Sequence, residues 1–174
     1  MKQIRKNVFE TNSSSIHAIC ISKNTDIYRY YVPTELHFGF GDFGWQFATY
    51  DSVSDKASYL WTAICSLYVD LESIELIKDK IKDWIKSSYP NTDITFSMPT
   101  KDENWNLLDF DGYIDHAGST REFVDYVMDN PHNLFDYLFD YDSFIATGND
   151  NSEEEVITDS DATETTHNIF WKGQ

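Results

Sequence analysis

The chain has 174 residues, 41% of them apolar and 16% aromatic. That suffices for a real core without staples, and no apolar run approaches the ~20 residues of a membrane span. Thirty acids against thirteen Lys and Arg give a net charge of −17, a field that repels nucleic acid and argues against direct phosphate binding. Two cysteines, Cys20 and Cys65, make no disulfide framework and suit a reducing cytosol. The basic start Met1 to Lys6 leads into Asn7 and Glu10 rather than a hydrophobic stretch, so no secretory signal is read. The expected setting is cytoplasmic.

Strand-like segments come first. "IRKNVF" (4–9) is followed by the polar break Thr11-Asn12-Ser13-Ser14-Ser15 and then by "IHAICIS" (16–22). Strict alternation in the second segment puts His17, Ile19 and Ile21 on one face and Cys20 on the other. "IYRYYV" and "ELHFGF" predict two more strands separated by Pro33, and the three glycines of "GFGDFGW" (39–45) predict a bend or bulge.

Two helices follow. Val53, Ala57, Leu60, Trp61, Ile64, Leu67 and Tyr68 recur at three- and four-residue spacing after a cap at Asp51 or Ser52. Leu71, Ile74, Ile77, Ile81, Trp84 and Ile85 mark a second stripe that stops before Pro90. "DITFSM" returns to strand, and "WNLLDFDGYIDH" predicts a short strand pair around Asp111-Gly112. Ser119 and Glu122 have capping-box spacing ahead of a helix, and Pro131 opens another. "SFIATG" and "HNIFW" close the chain as strands. Strands at both ends with helices between predict a single α+β domain over 1–174, with a mostly antiparallel sheet and about four helices.

Charge is unevenly placed. From Glu122 to Trp171 no Lys or Arg occurs while thirteen acids do, whereas the first thirty residues hold five bases and two acids. This acidic C-terminal region, 122–171, suits a basic protein partner, with Asp136, Asp140, Asp142, Glu153, Glu154 and Glu155 as candidate contacts. Among catalytic motifs, no phosphate-binding glycine loop is present, and Asp42-Phe43-Gly44 lacks the partners that would make it a magnesium motif. Ser13 to Ser15 near His17 lack the glycine-flanked elbow of a serine nucleophile and read as self-bonded turns. His17 and His116 both follow apolar residues, and an inward histidine must be hydrogen-bonded or ligated. With Asp115 and Glu10 they form a nitrogen and oxygen set suited to zinc. The serine run would then aim Glu10 and His17 at one point. An open coordination position would instead make the set a metal-dependent hydrolase. Histidines that are merely bonded within the core are the third reading.

"RKNVFETNSSSIH" (5–17), "FGFGDFGW" (38–45) with "ASYLWTAI" (57–64), and "DGYIDH" (111–116) with "SFIATGNDN" (143–151) together resemble a family of small proteins from bacteriophages and mobile elements of Gram-positive bacteria. In that family Gln-Ser usually follows the Asp-His pair, where this chain has Ala117-Gly118. The resemblance implies a phage setting. There, small acidic proteins without enzymatic motifs look like anti-defence inhibitors, including anti-CRISPR proteins. The expected partner is a basic host protein such as a type II CRISPR effector nuclease, whose duplex channels are positively charged.

Overall fold

The strand that follows the serine run, β1 (Ser15–Ser22), is buried along its whole length. It lies between two antiparallel neighbours, β9 (Phe144–Asn149) and β10 (His167–Lys172). A short fourth strand, β4 (Ala48–Tyr50), pairs with the far side of β9, giving the order β10-β1-β9-β4. The computed structural model describes residues 15–23, 30–44, 46–101, 108–115, 117–149 and 162–172. The segment "IRKNVF" lies outside them. Alternation along β1 resolves as its sequence predicts. Ile19 and Ile21 join Ile145 in the main core on the helical side. Ala18 and Cys20 face the opposite way, packing with Ala146, Ala162 and half-buried Phe144, Ile169 and Trp171.

The main core is organised by α1 (Val53–Leu67), which buries nine residues from Lys56 to Cys65 and so is enclosed on most sides. Its start is capped by Ser52, whose hydroxyl accepts from the Asp55 amide at 3.1 Å. Fully buried Trp61 meets Phe38 and Phe96 edge-on and donates its indole N–H to the Ser97 carbonyl at 2.6 Å. Truncation of such a side chain costs ~3–5 kcal/mol. The next helix, α2 (Leu71–Ser88), is a peripheral element. It buries only Ile74, Ile81 and Ile85 and surrounds them with charge. Asp70 caps it, accepting from the Ser73 amide at 2.7 Å.

Two pairs of short strands frame the far side of α1. β2 (Glu35–Phe38) runs parallel to β5 (Asp93–Phe96), and β3 (Asp42–Phe43) runs parallel to β8 (Tyr113–Ile114). β6 (Thr100–Lys101) pairs with β7 (Leu108–Asp109). The two strands around Asp111-Gly112 therefore exist but do not pair with each other. Gly112 packs against Phe40 and Gly41, where an added Cβ would lie 2.7 Å from Phe40 Cβ and 3.1 Å from the Gly41 amide nitrogen. That close approach lets the 111–114 segment dock on β3 instead of folding back on β7.

The acidic half begins with a 3-10 turn, Ala117–Thr120, leading into α3 (Arg121–Val127). The expected Ser119–Glu122 capping box does not form. Thr120 occupies the cap position without a side-chain cap bond, and its hydroxyl donates back to the Ala117 carbonyl at 2.7 Å. The preceding 3-10 turn already consumes the geometry a capping box needs. α4 (Pro131–Phe139) starts as predicted, with Pro131 in its first turn and Asn130 accepting from the Asn133 amide at 3.0 Å. Of the strand expected over 27–32, the described part contributes one antiparallel bridge, Tyr30 to Asp140. With four helices and a main antiparallel sheet among the described residues, the fold is α+β. Among the described residues no helix is long and apolar enough to cross a membrane.

Candidate functional site

Two buried polar clusters flank α1, one reached from β1 and one from α4. In the first, β1 delivers His17 to the helical side of the sheet, where it is 0% exposed. Its Nδ1 lies 2.9 Å from the Tyr59 hydroxyl and its Nε2 lies 3.1 Å from the Gly44 carbonyl oxygen. A carbonyl can only accept, so Nε2 carries a proton, while Nδ1 is bonded to the Tyr59 hydroxyl. Tyr59 is itself fully buried, which pushes its phenol well above the ordinary tyrosine range and keeps it a donor. Two residues upstream on the same face of β1, Ser15 donates its amide and its hydroxyl to Asp115 Oδ2, both at 3.3 Å.

A pair of hydrogen bonds thus ties the start of β1 to Asp115. Of the four proposed metal ligands, His17 and Asp115 lie on described elements, while Glu10 and His116 lie outside the described residues. A metal at His17 would have to take the Nδ1 lone pair from Tyr59 or displace the Nε2 proton from Gly44. Among the described residues no three His, Cys, Asp or Glu side chains gather as a metal site requires. Cys20 lies on the other face of β1, away from His17, and burial pushes its thiol up to about 12. Cys65 is likewise buried and raised to about 12, so neither is poised as a thiolate.

The second cluster was not foreseen. Lys56, in the first turn of α1, is 1% exposed. Its ammonium donates to the carbonyls of Asp140 at 2.8 Å and Ser143 at 2.9 Å, where α4 runs into β9. The Asp140 carbonyl sits at the C-cap of α4, the negative end of its dipole and a favourable place for a cation. Burial pushes the Lys56 ammonium down to about 8, opposed by the nearby carboxylates of Asp140 and Asp51. The Ser143 hydroxyl accepts from the Ser22 amide at 2.9 Å and donates to the Asp136 carbonyl at 2.7 Å, and Tyr137 donates to the Lys56 carbonyl at 2.8 Å. One signal in the sequence points here. Lys56 stands three and four residues before Tyr59 and Leu60, on the apolar side of α1 rather than its solvent side.

These facts also correct the candidate contact surface. Asp140 is 0% exposed and belongs to the interior. Its Oδ1 accepts from the Asp142 amide at 2.9 Å. Asp136 is half-buried and accepts from the Tyr30 hydroxyl; burial raises its carboxyl, a shift that the Tyr30 bond opposes. Asp142 is half-buried, and its carbonyl receives His167 Nε2 at 3.0 Å. Glu153, Glu154 and Glu155 lie outside the described residues. The exposed acids are others: Glu122 and Asp125 on α3, Asp129 just beyond it, and Glu164 before β10. The three-residue spacing of Glu122 and Asp125 puts these two along one side of α3. Arg121 is directed away from them, over the Tyr68 ring at 5.7 Å, while Lys80 of α2 reaches the Met128 carbonyl at 2.8 Å.

Comparison with family models, with curated proteins and with solved structures found no match.

Proposed function

We propose that this protein is an acidic inhibitor that binds the basic, nucleic-acid-holding surface of another protein and obstructs its loading. The observation that carries this is the run from Glu122 to Trp171, with thirteen acids and no Lys or Arg. Glu122, Asp125, Asp129 and Glu164 of that run are exposed. A surface of one sign steers toward the opposite sign and raises association rates with a basic channel. The resemblance to phage proteins supplies the class of partner, a host defence nuclease of the type II CRISPR kind, whose guide–target duplex lies in a positively charged groove. Neither a metal nor a catalytic residue is needed for this reading.

The test is a DNA-loading assay on a guide-loaded type II effector, with and without this protein, across salt from about 0.05 to 0.5 M, where screening shortens from ~14 to ~4 Å. Inhibition at the low end that fades steeply with salt is the expected result. The triple variant Glu122→Lys/Asp125→Lys/Asp129→Lys should weaken inhibition at least tenfold. Unimpaired DNA loading at the lowest salt with excess protein would overturn the assignment to this partner class.

A further inference from the structure

Lys56 and Asp140 each leave one hydrogen-bonding capacity unused, and the two match. An ammonium has three N–H donors and no acceptor. Two of the Lys56 donors go to the Asp140 and Ser143 carbonyls. Asp140 Oδ1 is satisfied by the Asp142 amide, but Oδ2, fully buried, has no hydrogen-bond partner. Lys56 does not reach it directly, although the Asp140 carboxylate is near enough to oppose the loss of the Lys56 proton.

A carboxylate oxygen buried without a donor loses its hydration with no bond to replace it. Protonating Asp140 gives no relief. A proton on Oδ2 would itself need an acceptor, and Lys56 offers only donors. A small molecule that accepts from the ammonium and donates to the carboxylate satisfies both at once, and water does this in two bonds. We propose that one internal water molecule is bound between Lys56 Nζ and Asp140 Oδ2, at the junction of α1, α4 and β9. The site is built from two side chains that are each at most 1% exposed. Buried waters with two to four polar partners are ordinary parts of folded proteins. This one completes the coordination of a cation that the fold otherwise holds by backbone carbonyls, and it converts two separated charges into a bridged pair.

A crystal structure of the full chain at about 1.5 Å or better reads the site directly. The expected result is a fully occupied, isolated density peak at ~2.6–3.2 Å from both atoms. Direct Lys56–Asp140 contact with nothing between, or an empty gap, would overturn the proposal. In solution, oxygen-17 relaxation dispersion should count one long-lived water more in the native protein than in Asp140→Leu, which fills the site with carbon. Equal counts in a folded variant would also overturn it, and if that variant does not fold the crystal structure alone decides.

Discussion

His17 and Lys56 are both buried nitrogen-bearing side chains packed around the same helix, α1, yet they are held by different physics. His17 is paired through both ring nitrogens, Nε2 donating to the Gly44 carbonyl and Nδ1 bonded to the Tyr59 hydroxyl. Pairing of that kind carries a modest desolvation cost and returns ~0.5–1.5 kcal/mol per bond. Lys56 is a cation held by two carbonyls, one of them at the C-cap of α4, with carboxylates nearby. There the desolvation penalty is several kcal/mol per ion, and removal of a partner strands a charge. The residue that looks like chemistry in the sequence is thus the quieter of the two. The one that looks like an ordinary helix lysine holds the more demanding site.

The largest effect that separates them is expected at Lys56. Lys56→Ala should lower unfolding free energy by ~3–5 kcal/mol, because it leaves Asp140 buried without a cation and two carbonyls without a donor. Denaturant unfolding measures this. The double variant Lys56→Met/Asp140→Leu removes both charges and fills the space, so most of the loss should return. A double variant as unstable as Lys56→Ala would mean that the backbone bonds, not the charges, set the cost.

The second effect is a pH dependence with a definite sign. The folded-state value of about 8 for Lys56 lies below its ordinary 10.5. Between those values the unfolded chain binds the extra proton, so stability contributed by this group rises with pH across about 8 to 10.5. Below pH 8 the full penalty of the buried charge is present. The gap corresponds to about 3 kcal/mol. Cys20 and Cys65 act the other way. Their folded values of about 12 lie above the ordinary 9.0, so above pH 9 the unfolded chain gives up those protons first and stability falls. The useful quantity is therefore the difference between wild type and Lys56→Met, in which the thiol contributions cancel. That difference should move in favour of the wild type from pH 8 to 10.5. A flat difference would mean that Lys56 keeps its ordinary affinity for the proton.

Why one site was legible and the other was not follows from how each is encoded. The faces of β1 are written in a local period of two, so the inward placement of His17 and the outward placement of Cys20 could be read directly. The helix starts at Ser52 and Pro131 are local chemistry of the same kind. The partners of His17 are 42 and 27 residues away, and no local pattern names them. Ser119 and Glu122 had the right spacing for a capping box, yet a preceding 3-10 turn made Thr120 the cap. The two-residue strands around Gly112 chose partners by docking against Phe40 and Gly41, a long-range contact. Asp140 looked like surface charge because it lies in an acidic stretch, but the Tyr30 bridge and Lys56 draw it inside. A lysine near a helix start is usually solvated, yet the spacing of Lys56 to Tyr59 and Leu60 places it on the apolar face.

The smallest effects sharpen the account of His17 itself. If Tyr59 holds the Nδ1 lone pair, Tyr59→Phe strands a buried acceptor and should cost ~1–3 kcal/mol at nearly constant volume. In the same account a strong chelator leaves the thermal midpoint of the wild type where it was, since no metal shares the ring. A zinc ion on His17 would produce the reverse pair of results. Chelation would then lower the midpoint by many degrees, because metal binding adds directly to folding free energy. Tyr59→Phe would be nearly silent, since the nitrogen it frees would already be ligated. The two measurements point in opposite directions under the two accounts, so together they separate a hydrogen-bonded histidine from a ligand.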